Sequence, residues 1–360
     1  MNTLFDFDDI LIEPTKLSDI RSRSEIKFKY PNGKLPLMTA PMDTVISDQN
    51  LHYFIDNDII PVLPRGVENE SKNMVFTSYG LTEFQNKFID NVVEINDTIY
   101  VLIDIANGHI REMYKIIEIA KRIYGDSLCL MVGNVANPDT FIEYARLNVD
   151  YVRIGIGNGN GCLTTVQTGV GYPMGSLIKQ CRDQLHILNT HDDRNNYQFK
   201  SKTKIVADGG FKKYSDIIKA LALGADYVML GSMFNKTLES AGETIYYEKE
   251  TPITIKEKIV IDQYGDESKQ RFEVGLPLYK TFRGMSTKDV QKDWGRTELK
   301  TSEGIVKTQQ VEYTISGWVE NFQSYLKSAM SYTGKKELLQ FIGGVNYNFI
   351  TQNSFNRFNK

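Results

Sequence analysis

Eight apolar runs of strand length recur along this 360-residue chain with helical patterns between them: Leu35–Ala40, Ile59–Leu63, Met74–Ser78, Ile99–Asp104, Leu128–Gly133, Val149–Gly155, Lys204–Asp208 and Asp226–Gly231. Strands buried on both faces read as continuous apolar runs, and their alternation with helices implies parallel pairing. Eight such units predict an α/β fold, a closed (β/α)8 TIM barrel, and the length accommodates one with insertions as a single catalytic domain over 1–360. The intervening helices carry their own signals. Asn137-Pro138-Asp139 opens one with proline in its first turn and then sets Phe141, Ile142 and Ala145 on one face; Ser215–Leu223 is stopped by Gly224.

Three stretches depart from the alternation. Asp183–Thr203 is polar and Asn-rich and reads as a surface excursion before the seventh strand. Ile245–Glu273 alternates Thr, Ile and Val around Tyr264-Gly265-Asp266, which predicts an external hairpin. Lys288–Gln310 is charged and has no helix or strand period, and because helical pattern resumes from Val319 to Ser331 it reads as a mobile active-site lid.

Composition narrows the function classes. A formal charge of −3, with no Lys/Arg run interleaved with aromatics, argues against nucleic acid as a partner. No apolar run approaches the ~18 residues of a spanning helix, and Met1–Asp6 lacks the pattern of a signal peptide, so a cytoplasmic location away from membranes is expected. The three cysteines (Cys129, Cys162, Cys181) form no C-x-x-C pair, and the four histidines are scattered, which disfavours a disulfide framework or a zinc site.

Chemistry concentrates after the sixth run. Gly155-Ile156-Gly157-Asn158-Gly159-Asn160-Gly161-Cys162-Leu163-Thr164-Thr165 is a glycine-dense loop at a strand end, of the kind whose N–H groups cradle a phosphate or oxyanion. Cys162 on it is either a nucleophile or one more small buried hydrophobe. The seventh and eighth runs end in Asp208-Gly209-Gly210 and Gly231-Ser232, where βα barrels hold phosphate, an arrangement that flavin-binding barrels share. Asp208 reads as an acceptor for a ribose diol or as a helix N-cap.

The glycine-cysteine loop, Asp208-Gly209-Gly210, Gly231-Ser232, Phe282-Arg283-Gly284-Met285-Ser286, Phe7-Asp8-Asp9-Ile10-Leu11 and Ala40-Pro41-Met42-Asp43-Thr44-Val45 stand in the order seen in the IMP dehydrogenase and GMP reductase family, which this chain resembles over nearly its whole length. The resemblance implies a purine nucleotide monophosphate held through its phosphate by Asn160, Gly209, Gly210, Gly231 and Ser232 and through its ribose by Asp208. Met42, Gly284, Met285, Ser286 and the lid residues Lys300, Ser302 and Gly304 would face the nucleotide. Cys162 would add to C2 of the purine. The family is tetrameric and uses a monovalent cation, K+, which carbonyls of Gly157, Gly159 and Cys162 would hold.

Within the family this chain is more similar to the reductase. No regulatory insertion fits between Ile99 and Gly155; Thr301-Ser302-Glu303-Gly304 resembles the reductase lid; and Asp104-Ile105-Ala106-Asn107-Gly108 resembles its cofactor-side loop. The implied activity is NADPH-dependent deamination of GMP to IMP, with Asp104, Ala106, Asn107 and Gly108 toward the cofactor and Thr164 and Glu303 as proton relay to the departing amine. Glu303 by itself reads equally as a solvated lid carboxylate. Several positions depart from the family pattern. Asn160 stands for a phosphate-binding serine, Asn158 for a proline, Leu163 for a threonine, Thr165 for an arginine, Lys300 for a lid arginine, and Pro64-Arg65 for a histidine-bearing strand end, while Ala40-Pro41-Met42 resembles the dehydrogenase side. The rival readings are a dehydrogenase lacking the insertion with Arg296 as base, a nucleotide-binding regulator without turnover, and a flavin-dependent barrel.

Overall fold

The computed structural model describes residues 3–68, 74–191, 200–249, 256–285, 287, 290 and 304–358. A short strand β1 (Ile10–Ile12) precedes the eight runs, which form β2 (Leu37–Thr39), β3 (Val62–Leu63), β4 (Phe76–Tyr79), β5 (Ile99–Asp104), β6 (Leu128–Val135), β7 (Tyr151–Ile154), β8 (Lys204–Asp208) and β9 (Tyr227–Leu230). They pair in the order β2-β9-β8-β7-β6-β5-β4-β3, every neighbour parallel. The seam between β2 and β3 is joined by Ile60 N donating to Leu37 O at 3.0 Å and Thr39 N to Ile60 O at 3.1 Å. This is the (β/α)8 barrel that the eight runs predict. β3 is short because Pro61 and Pro64 bracket it and neither has an N–H to donate.

The two ends of the barrel are built differently. Phe76, Tyr100, Tyr151 and Tyr227, all near the N-terminal ends of their strands, pack ring against ring with centroids 5.4 Å apart for Phe76 with Tyr100 and with Tyr151, and 5.7 Å for Tyr151 with Tyr227. Burial pushes the Tyr151 and Tyr227 hydroxyls far above the ordinary phenol range. Apolar bulk therefore fills that end, and the strand C-termini carry the glycine turns and polar groups.

The helices bury the faces their patterns mark. Pro138–Arg146 is capped by Asn137, whose side chain accepts from Asp139 N at 2.8 Å, and it buries Phe141, Ile142, Tyr144 and Ala145. Tyr214–Leu223 ends at Gly224, φ 120°. Ile315–Tyr332, capped by Thr314, buries Ile315, Trp318, Val319, Phe322, Leu326 and Met330, a helical stripe laid on the barrel.

Three expectations are corrected. The excursion at Asp183–Thr203 begins later, because the helix Met174–His191 runs through nearly its first half, its polarity being that of a solvent-facing helix end with the ion pair Lys179–Asp183 one turn apart. In the 245–273 stretch the paired strands are β10 (Thr244–Lys249) and β11 (Lys256–Ile261), and the residues that join them, 250–255, lie outside the described residues. Tyr264-Gly265-Asp266 instead opens the helix Asp266–Glu273, whose first-turn Asp266 and Glu267 suit the helix dipole. The third correction concerns 288–310, of which Val306–Gln310 is a strand. Together with β12 (Tyr279–Arg283), this strand, β13, completes a second sheet in the order β11-β10-β12-β13, antiparallel throughout. β13 is an edge strand with one apolar residue, so no alternation marks it. A last strand, β14 (Tyr347–Phe349), pairs with β1.

Candidate active site

The loop that leaves β7 is shaped by a threonine. Thr165 Oγ1 lies 2.8 Å from Val170 O and 3.3 Å from Ile156 O, so one hydroxyl spans both legs of the loop. Gly157, at φ +77°, runs so close that a Cβ there would stand 1.8 Å from that hydroxyl. Only glycine fits, in conformation and in space. Asn158 Nδ2 adds a bond to Tyr172 O at 3.1 Å. The departures at Asn158 and Thr165 thus have a local function: they brace the loop from inside.

Cys162 sits where this loop meets the second sheet. Its N–H donates to Gly159 O at 3.0 Å, and its Sγ is 3.2 Å from Thr164 Oγ1. On the other side Cys162 bridges antiparallel to Gly304, Ile305 N donates to Gly161 O at 3.1 Å, and Gly284 N donates to Ile305 O at 3.0 Å. The two ends of the segment between Gly284 and Gly304 therefore flank the thiol. Arg283 forms an ion pair with Asp43, which ties the end of β12 to the Met42 loop. Burial pushes the Cys129 and Cys181 thiols far up, whereas Cys162 lines a cavity.

That cavity, about 1150 Å³, spans the C-terminal ends of the barrel strands. It brings together Met42, Asp104, Ala106, Asn107, Gly157, Gly159, Asn160, Cys162, Thr164, Asp208, Gly209, Gly210, Gly231, Ser232, Gly284, Met285 and Gly304 from the sequence-predicted set. Gly209, at φ +91°, packs so that a Cβ would stand 2.8 Å from Gly159 N, which sets the β8 turn directly against the cysteine loop. Gly108 is not among the lining residues. Its N–H donates to Asn134 O at 2.8 Å and its carbonyl accepts from Tyr144 Oη at 2.5 Å, so it shapes the Asp104 loop from behind. Ser286, Lys300, Ser302 and Glu303 lie outside the described residues, as does Arg296.

Sequence reasoning named Asp104 and Asp208 but missed the arginine that joins them in the cavity wall. Arg153, inside β7, donates from Nε to Asp208 Oδ2 at 2.9 Å and from Nη1 to Asp104 Oδ1 at 2.6 Å. Asn134 Nδ2 also donates to Asp208 Oδ2, at 2.8 Å, and Arg65 Nε lies 3.6 Å from Asp104 Oδ2. Burial works against the charge on Arg153, but the Asp208 and Asp104 carboxylates outweigh it and hold its pKa above the usual value. The signal was present: an arginine within Tyr151-Val152-Arg153-Ile154, an otherwise apolar buried strand, needs partners. His109 was also passed over. Its Nε2 accepts from Ala136 N at 3.0 Å, its Nδ1 lies 3.0 Å from Thr140 Oγ1, and partial desolvation lowers its pKa.

The profile of the IMP dehydrogenase / GMP reductase domain matches residues 64–357, most of the barrel and the whole second sheet. The chain belongs to this family. Among its relatives, a protein named GMP reductase from Vibrio vulnificus is 26% identical over 378 residues, covering 98% of this chain and 97% of its own. The GMP reductase of Caenorhabditis elegans is 26% identical, covering 96% and 92%, and GMP reductase 1 of Mus musculus is 28% identical, covering 96% and 95%. In the family frame Pro64-Arg65 gains a structural reading, since Arg65 closes β3 beside Asp104 and extends the alternation of charge to Arg65, Asp104, Arg153 and Asp208. Among the described residues no group of His, Cys, Asp or Glu is arranged to hold a metal ion, and no helix is long and apolar enough to cross a membrane.

Proposed function

We propose that the chain catalyses the NADPH-dependent reductive deamination of GMP to IMP and ammonia through a covalent bond between Cys162 and C2 of the purine. The observation that carries the reading is the convergence of Cys162, Thr164, the Gly209-Gly210 and Gly231-Ser232 turns and Asp208 on one cavity, in a chain aligned end to end with proteins named GMP reductase.

Gly209, Gly210, Gly231, Ser232 and Asn160 would hold the phosphate, and Asp208 would accept from the ribose hydroxyls. Met42, Gly284, Met285, Ser286, Lys300, Ser302 and Gly304 would enclose the base. Cys162 adds to C2 as thiolate, and Thr164, 3.2 Å from the sulfur, relays a proton with Glu303 so that nitrogen leaves as ammonia. The half of the cavity beside Asp104, Ala106 and Asn107 fits a dinucleotide, since the whole space exceeds the ~300–1,000 Å³ of a single small-molecule pocket. NADPH held beside Asp104, Ala106 and Asn107 would supply the hydride for C2, and the Cys162 thiolate would then leave as IMP forms. Carbonyls of Gly157, Gly159 and Cys162 would carry K+, the Gly159 carbonyl keeping a second lone pair beside its bond to Cys162 N. A homotetramer in the cytoplasm completes the reading.

Acid quenching during turnover tests the chemistry. Intact-mass analysis should find a purine nucleotide attached to Cys162, absent in Cys162→Ala. Turnover by Cys162→Ala would overturn it.

A further inference from the structure

Arg153 joins two carboxylates that belong to different halves of the cavity. Asp208 ends β8 beside the Gly209-Gly210 turn, and Asp104 ends β5 beside Ala106 and Asn107. One guanidinium reaches both, at 2.9 Å and 2.6 Å, and its side chain is 11% exposed against 18% and 17% for the carboxylates. Nε and Nη1 are parts of one rigid plane, so the orientation of one carboxylate constrains that of the other. Asn134 adds its bond to the same oxygen of Asp208 that Arg153 holds, Oδ2. Among the described residues Oδ1 accepts no hydrogen bond, which leaves it for a ligand hydroxyl.

We infer that Arg153 is a positioning residue that couples the two halves of the site, so that a ligand ordering one carboxylate strengthens binding at the other. The inference rests on the reading above, in which a purine ribonucleotide and a nicotinamide dinucleotide share the cavity. A hydroxyl bonded to Asp104 fixes that carboxylate and, through the fork, the guanidinium. A nucleotide arriving at Asp208 then meets a group already ordered, which is positive coupling carried through the protein and not dependent on contact between the ligands. By linkage the effect is reciprocal. A lysine ammonium is a single point on a flexible stem and cannot hold two carboxylates in a fixed relation.

The test is calorimetric titration of GMP into the full chain with and without saturating NADP+, the oxidised form preventing turnover. NADP+ should tighten GMP at least about fivefold, the lower end of ordinary coupling. In Arg153→Lys the ratio should fall to near one. A merely structural role would lower affinity or stability and leave the ratio in place. A second measurement needs no variant: 2′,3′-dideoxy-GMP, which has no hydroxyl for Asp208, should bind the unaltered chain more weakly than GMP and equally with or without NADP+. GMP binding that ignores NADP+, or an Arg153→Lys chain that keeps the full ratio, overturns the coupling and leaves the reading of the site standing. If the unaltered chain binds no GMP at all, both fall.

Discussion

The backbone N–H of Ile305 donates to the carbonyl of Gly161 at 3.1 Å, one residue before the cysteine. Gly284 N in turn donates to Ile305 O, so the loop that carries the thiol and both borders of the 285–303 segment are held by backbone bonds. The position of Cys162 is therefore set from two sides, by the barrel and by the second sheet.

Ile305→Pro removes that donor while leaving the barrel untouched. Losing one hydrogen bond of ~1 kcal/mol at the thiol should lower kcat by about fivefold, with a much smaller change in KM for the nucleotide. Steady-state kinetics check this, and an unchanged kcat would show that the bond does not hold the reacting geometry.

Thr165→Val deletes the hydroxyl that lies between the half-buried Ile156 carbonyl and the exposed Val170 carbonyl and so removes the tie between the two legs of the loop. The expected result is ~1–2 kcal/mol of lost stability in chemical denaturation and a faster reaction of Cys162 with a thiol-modifying reagent, because the braced loop loosens. Equal modification rates in the two chains would contradict the bracing role.

Glu303→Gln should slow ammonia release far more than hydride exchange between the cofactor and the covalent intermediate, as expected of a proton-relay group that takes no part in hydride transfer. Isotope exchange and ammonia release measured on one preparation separate the two, and equal loss of both would refute the assignment.

His109 gives a pH dependence with a definite sign. Accepting from Ala136 N requires a neutral Nε2, and partial desolvation of this otherwise exposed ring lowers the folded-state pKa below the ordinary 6.5. A depressed folded pKa contributes stability that is fully present above 6.5 and is lost as pH falls through the folded value. The stability difference between the unaltered chain and His109→Gln should therefore be greatest at neutral pH and shrink in acid, in denaturant titrations across that range. A difference that is constant with pH would mean that His109 does not titrate in this way.

Much of this architecture was legible because burial on both faces writes the barrel strands as unbroken apolar runs, as in Ile99–Asp104 and Lys204–Asp208. The glycine turns were legible for a related reason: close backbone approach excludes side chains, as Gly209 against Gly159 shows. What escaped was whatever a partner defines. β13 is polar and exposed and is a strand only because β12 pairs with it. Arg153 looked like one residue of an apolar run until its two carboxylates arrived from strands about fifty residues away on either side in sequence. The turn at Tyr264-Gly265-Asp266 was read correctly as a break and wrongly as a hairpin, since the same residues open a helix.

The most direct measurement follows reduced-nicotinamide absorbance with purified protein, GMP plus NADPH beside IMP plus NAD. The account predicts loss of absorbance with GMP, ammonia appearing in step, and no change with IMP. A rise with IMP and NAD would make the chain a dehydrogenase and contradict the account, and silence in both would contradict it equally.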